Sequence, residues 1–144
     1  DRRYVLDVGT GPPTLRKPIP LDGAPQTDAI GTEWRVVPSE RPDALSRLDY
    51  RTADDSEWMA RFVFDDAPRP LRYFEATNDY LQSAPESPFT DDPSVALSTQ
   101  TGYRQLSGET FEEVRGPDRE ERTVTADDWH EILEQKFGLR YRSG

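Results

Sequence analysis

Asp7 closes an apolar run, Arg3-Tyr4-Val5-Leu6-Asp7-Val8, and stands before Gly9-Thr10-Gly11-Pro12. A carboxylate at a strand end, beside backbone turned by glycines, suits the third member of a cysteine–histidine–aspartate triad. There it holds an imidazole in one tautomer and stabilises its charged form. The same carboxylate would serve equally as an acceptor for turn amides near Gly9 and Gly11. A triad also needs a thiol and an imidazole, and the chain has no cysteine and a single histidine, His130, far downstream. If Asp7 orients an imidazole, its two partners lie outside these residues.

Other chemistry-bearing residues read as structural. His130 has Asp127 and Glu134 at three- and four-residue spacing on a predicted helix. One imidazole and two carboxylates on a helix surface make a surface or packing histidine rather than a metal site. Asp65-Asp66 and Asp91-Asp92 lack the glycine-bearing loop of spaced oxygens that a calcium site needs, and read as solvated turns. Gly9-Thr10-Gly11 is no phosphate loop, because prolines follow it and no Lys-Ser/Thr pair does. No metal site is expected.

With 28 acidic against 18 basic residues the net charge is −10, and such a surface repels phosphate backbones and anionic lipid. No nucleic-acid and no membrane partner is expected, since no apolar run approaches bilayer length either. Lys17 and Lys136 are the only lysines, and many acids with few lysines fit a high-salt cytoplasm or a GC-rich genome with a solubilising acidic surface equally. The absence of cysteine removes disulfides and thiolate metal sites from this chain. Hydrophobic residues make up 33%, low for a self-sufficient globule, though Trp34, Trp58 and Trp129 all fit core packing.

Residues 1–8 read as a strand entering a turn, so a natural start at Asp1 is not expected. Residues 11–23, with four prolines, read as an irregular loop. Strands are predicted over 32–37, 44–51 and 57–64, the last placing Trp58, Ala60, Phe62 and Phe64 on one face. Past a proline-bearing linker at 65–70, the apolar spacing predicts a helix over 71–81. Short strands follow at 95–97, 103–106, 110–114 and 120–124, with glycine turns between the last three. The C-terminal helix is the clearest element: Thr125 caps it, Asp128 completes a capping box, Trp129, Ile132, Leu133 and Phe137 form its stripe, and Gly138 ends it. The character changes from β-rich to α/β at about residue 68.

Three segments in this order resemble the arylamine N-acetyltransferases along nearly the whole chain. Residues Arg3-Tyr4-Val5-Leu6-Asp7-Val8-Gly9-Thr10-Gly11 are similar to the family strand ending in Asp-Val-Gly-Phe-Gly. The run from Phe74-Glu75 through Asn78-Asp79-Tyr80 to Ser83-Ala84-Pro85-Glu86-Ser87-Pro88-Phe89 resembles a second family segment. Leu106-Ser107-Gly108-Glu109-Thr110-Phe111 and the closing Ile132-Leu133-Glu134-Gln135-Lys136-Phe137-Gly138-Leu139 resemble a third. The chain departs from the family pattern at Thr10, commonly Phe, at Asp79, often Trp in bacterial members, and at Ala84, frequently Ser.

The resemblance implies an α+β fold of the cysteine-proteinase-like superfamily in truncated form. It implies a partial antiparallel β-barrel over 1–68, incomplete at its N-terminal side, and a small α/β lid with a C-terminal helix over 69–144. The family's N-terminal helical segment with its catalytic Cys, and the strand with its His, fall outside these residues. The implied chemistry is cytoplasmic ping-pong acetyl transfer from acetyl-CoA to an arylamine or hydrazine, with no permanently bound cofactor. Carried over residue by residue, Asp7 is the triad acid and Gly9, Thr10 and Gly11 border the substrate. Ser83 and Ser87 lie near the CoA channel, while Ser83 serves equally as a helix-ending hydroxyl. The chain alone is expected to be inactive, with the missing helical segment as its partner. Alternatives are a non-catalytic pseudoenzyme or split-protein module, or a related macrolactam (amide) synthase, with Thr10 in place of Phe favouring an altered acceptor. An unclosed barrel leaves strand edges bare, so aggregation or dimerisation is expected.

Overall fold

The computed structural model describes residues 3–7, 9–90 and 92–140. The chain separates into two compact units, Asp1–Ala67 and Pro68–Gly144. In the first, β1 (Tyr4–Val5) pairs antiparallel with β2 (Ile19–Pro20). Strands β3 (Gln26–Thr27), β4 (Glu33–Pro38), β5 (Ser46–Arg51) and β6 (Met59–Phe64) form a four-stranded antiparallel sheet in sequence order. Alternation along β4 turns Trp34 and Val36 inward, where they meet Leu48 of β5 and Ile19 of β2. Ile19 and Leu48 are inaccessible to solvent, and full burial of such side chains contributes roughly 1.5–3 kcal/mol each. Tyr50 lies tilted against Trp34 with ring centres 5.5 Å apart, and Phe62 and Phe64 close the cluster.

The predicted single face of the 57–64 strand is broken. The β5–β6 register slips at Leu48/Asp49: Leu48 opposes Phe62 and Asp49 opposes Ala60, leaving Arg61 as an extra residue in a β-bulge. Phe62 and Phe64 stay with the core, but Ala60 is exposed. Trp58, expected in the core, instead stacks against the guanidinium groups of Arg35 and Arg51, 4.1 and 4.9 Å from its ring centre. The strand expected over 1–8 is also shorter. Asp7 lies two residues past β1, Val8 falls outside the described residues, and β2 sits inside the stretch read as irregular.

The second unit opens with a 3-10 turn (Leu71–Phe74) running into α1 (Glu75–Ser83), where one helix was predicted over 71–81. Pro85 ends α1 by forcing the preceding Ala84 to an extended conformation, φ −72° and ψ 131°. Leu71, Tyr73, Phe74 and Tyr80 are exposed. Strands β7 (Ser94–Ser98), β8 (Gly102–Ser107), β9 (Thr110–Arg115) and β10 (Asp118–Thr123) form an antiparallel meander. Its two-residue turns, Gly108-Glu109 and Gly116-Pro117, each start with a glycine at positive φ, 52° and 57°, which matches the strand twist.

Helix α2 (Ala126–Phe137) forms as its caps dictate. The Thr125 hydroxyl accepts the Asp128 N–H at 3.3 Å and donates to the Asp128 carboxylate at 2.8 Å. Gly138, at φ 70°, donates its N–H to the Glu134 carbonyl at 3.0 Å, and Leu139 donates to Leu133 at 3.2 Å. Ile132 and Leu133 bury against Leu106, Phe111 and Val124, with Trp129 and Phe137 flanking them. Antiparallel sheets with two helices give the α+β content. Among the described residues no sheet closes into a barrel, since β3 and β6 are the edges of the first four-stranded sheet.

Candidate functional site

Asp7 is half-buried. Its Oδ1 accepts the backbone N–H groups of Gly9 at 3.1 Å and Thr10 at 3.2 Å, and its Oδ2 accepts the Thr10 hydroxyl. The turn-stabilising role left open by the sequence is therefore present. It is compatible with a second role, because a carboxylate oxygen with one donor keeps another acceptor position. An imidazole N–H arriving at Oδ2 would meet a carboxylate whose orientation is already set. Side-chain atoms added at Gly9 or Gly11 would meet nothing within 4 Å, so the backbone there borders open space.

The first unit also holds charged residues with partners that sequence reasoning missed. Arg61, the bulge residue of β6, donates through its guanidinium to the Gly11 carbonyl. Arg3 pairs with Asp66, joining the start of β1 to the segment after β6. Asp28 is buried, and its carboxylate gathers four donors. The N–H groups of Ile30 and Thr32 lie at 3.0 Å, Arg16 at 3.2 Å and the Trp34 indole N–H at 3.4 Å. It thereby anchors, through Arg16, the segment that follows the Asp7 turn. Asp49, also buried, accepts Arg47 at 2.6 and 3.1 Å and Arg35 at 3.3 Å. The long-range partnerships among these, Arg61 to Gly11, Arg3 to Asp66, Arg16 to Asp28 and Arg35 to Asp49, have no local sequence signature. Arg35 and Asp49 face each other only through the β4–β5 register.

In the second unit both serine hydroxyls act on the chain's own backbone. Ser83 is exposed and donates to the Asp79 carbonyl at 2.6 Å, four residues back. Ser87 is fully buried. It donates to the Leu81 carbonyl at 2.6 Å and accepts the Phe89 N–H at 3.2 Å, pinning the loop after α1. Glu113 is buried between Arg104 at 2.5 Å and Arg115 at 2.7 Å, with Lys136 at 3.7 Å. Burial pushes its carboxyl up, but the hydrogen bonds and charges of Arg104 and Arg115 outweigh this and hold it below the ordinary carboxylate value. Burial, and then the hydrogen bond to Glu112 at 2.8 Å, push the Tyr103 phenol up to about 12. His130 lies exposed on α2 with its ring edge-to-face to Trp129 at 5.6 Å. Among the described residues no three His, Cys, Asp or Glu side chains are grouped so as to hold a metal ion. No helix among them is long and apolar enough to cross a membrane.

A family model described as N-acetyltransferase matches residues 1–143. The arylamine N-acetyltransferase of Mycolicibacterium smegmatis is 30% identical over 108 residues, which cover 75% of this chain and 38% of that protein. The solved arylamine N-acetyltransferase of Mycobacterium abscessus superposes with a TM-score of 0.84 at 24% identity, covering 99% of this chain and 51% of that one. The Mycobacterium marinum enzyme, solved in complex with CoA, gives 0.79 at 22% identity, covering 94% of this chain and 49% of that one. This chain belongs to the arylamine N-acetyltransferase family. It spans about half the length, or less, of these relatives.

Proposed function

We propose that residues 1–144 form the acid-bearing portion of an arylamine N-acetyltransferase. In this reading Asp7 is the acid of a Cys-His-Asp triad whose thiol and imidazole come from outside these residues. The first unit stands for part of the family's β-barrel (1–68) and the second for its lid (69–144). The thiolate, activated by the imidazole, attacks the acetyl-CoA thioester and releases CoA. An arylamine or hydrazine then takes the acetyl group from sulfur, and the thiol is regenerated. Asp7 fixes the imidazole tautomer and stabilises its protonated form. One observation carries the reading: in a chain of this family, the Asp7 carboxylate is held by the Gly9 and Thr10 amides just past a strand.

Gly9, Thr10 and Gly11 would border the acceptor. Thr10, small and bonded to Asp7, leaves a less aromatic wall there than a phenylalanine, which suits a smaller or more polar amine. Exposed Ser83 is the better placed hydroxyl for the coenzyme, whereas Ser87 would act through the loop it pins. A cytoplasmic setting would supply acetyl-CoA.

The test is CoA release with an arylamine acceptor, measured on the gene product that carries residues 1–144. Asp7→Asn should lower kcat by about 10³-fold or more, as expected when the imidazole loses its orienting acid. Residues 1–144 alone should release no CoA above background. Transfer by residues 1–144 alone, or an Asp7→Asn enzyme within about tenfold of its parent, would reject the proposal.

A further inference from the structure

Arg61 is the residue that strand pairing leaves over. Regular alternation would set it on the face opposite Phe62 and Phe64. The bulge between the Leu48–Phe62 and Asp49–Ala60 pairs frees it from the ladder and re-aims its side chain. The guanidinium reaches the Gly11 carbonyl, 50 positions away in sequence. Among the described residues this is the hydrogen bond that ties residues 9–11 to the rest of the first unit, because the others at Gly9 and Thr10 run to Asp7. The Arg61 Nε is buried without a hydrogen-bond partner, and it is a terminal nitrogen of the side chain that donates to Gly11. On the side where a Cβ would stand, Gly9 and Gly11 border open space.

We infer that Arg61 is a positioning residue for the Asp7 carboxylate. By gripping Gly11 it fixes the backbone whose amides hold Oδ1, and so sets where the carboxylate points. Its catalytic meaning rests on the reading of Asp7 as the triad acid. A guanidinium suits the task because it is always charged and its planar fork of donors is pre-organised.

The test compares the gene product that carries residues 1–144 with its Arg61→Met and Arg61→Lys variants by amide exchange and by the carbon resonance of the Asp7 carboxyl group. Losing one charge-assisted hydrogen bond should speed exchange at the Gly9 and Thr10 amides by about tenfold or more. The Val36 and Leu48 amides in the sheet should keep their rates. The Asp7 carboxyl resonance should move in Arg61→Met and return part of the way in Arg61→Lys, which keeps a charged donor. Unchanged exchange at Gly9 and Thr10 would overturn the inference. So would a rise that runs in step with Val36 and Leu48, which marks general loosening. If Arg61→Met does not fold, Arg61→Lys decides alone. An acceleration confined to the loop supports the inference, and its absence refutes it. None of these readouts needs turnover, so an active Asp7→Asn gene product would refute the triad reading while leaving the exchange result intact.

Discussion

Replacing Asp28 with alanine should unfold much of what holds the first unit together. The carboxylate serves the Ile30 and Thr32 amides, the Trp34 indole and Arg16, and its side chain is 1% exposed while that of Arg16 is 11% exposed. Deleting one partner of a buried charge pair costs about 3–5 kcal/mol, and each buried amide left without an acceptor costs about 1–3 kcal/mol. These overlap, and Ile30 is only half-buried, so water relieves part of the loss. A net cost of about 4 kcal/mol follows. For a unit of this size, each kcal/mol lowers the melting point by roughly 4–8 °C, so the drop should reach at least ~16 °C. Asp28→Asn keeps an acceptor for the two amides but loses the charge facing Arg16, and should cost about half as much, ~2 kcal/mol. Thermal melting followed by near-ultraviolet circular dichroism reads both, because Trp34 and Tyr50 report the core directly. An alanine variant melting within about 3 °C of the parent would show that the four contacts do not act as one anchor.

Glu113→Gln should cost about 2 kcal/mol near neutral pH, less than a fully buried pair because Arg104, Arg115 and Lys136 are partly solvated. The native carboxyl sits below the ordinary value of 4.5, so its stabilisation is present above that pH and is lost as pH falls through the lower native value. Denaturant titrations from pH 7 to pH 3 should therefore show parent and variant converging in acid, and a constant gap would refute this. At the alkaline end, the Tyr103 phenol is raised from 10.0 to about 12, so the folded state holds its proton longer and loses stability as pH climbs through that window. Tyr103→Phe should flatten the decline, and an identical alkaline limb would contradict the assignment. Gly102→Ala places a Cβ 1.8 Å from the Val114 carbonyl oxygen and 2.5 Å from its carbon, which only separation of β8 from β9 can relieve. A loss of about 3 kcal/mol in denaturant stability is expected, and a loss under about 0.5 would refute it.

The parts of the fold legible in the sequence are those whose cause is local. Thr125, Asp128 and Gly138 fix both ends of α2, because cap geometry involves residues within one turn of each other. The Gly108 and Gly116 turns set the β8–β9–β10 meander for the same reason. What escaped is non-local. The β6 bulge is a property of pairing with β5, so alternation misplaced Trp58 and Ala60. Asp28, Asp49 and Glu113 look like surface charge in sequence. Their burial makes sense only once strand register brings Arg35 to Asp49 and Arg104 to Glu113, and the proline-bearing loop brings Arg16 to Asp28. At the site, Asp7 and its glycines stood out through strand-end chemistry. Arg61 had no signal, since its partner is a backbone carbonyl far along the chain.

The leftover residue in β6 has a consequence for solubility as well. Met59–Phe64 is a largely apolar segment at a sheet margin, the kind of segment that recruits like strands from neighbouring molecules. An extra residue in mid-strand coils the ribbon and spoils the even spacing of its outward amides, so an incoming strand finds no long straight template. Excising that one position would restore an unbroken ladder, and with it a longer straight edge open to pairing.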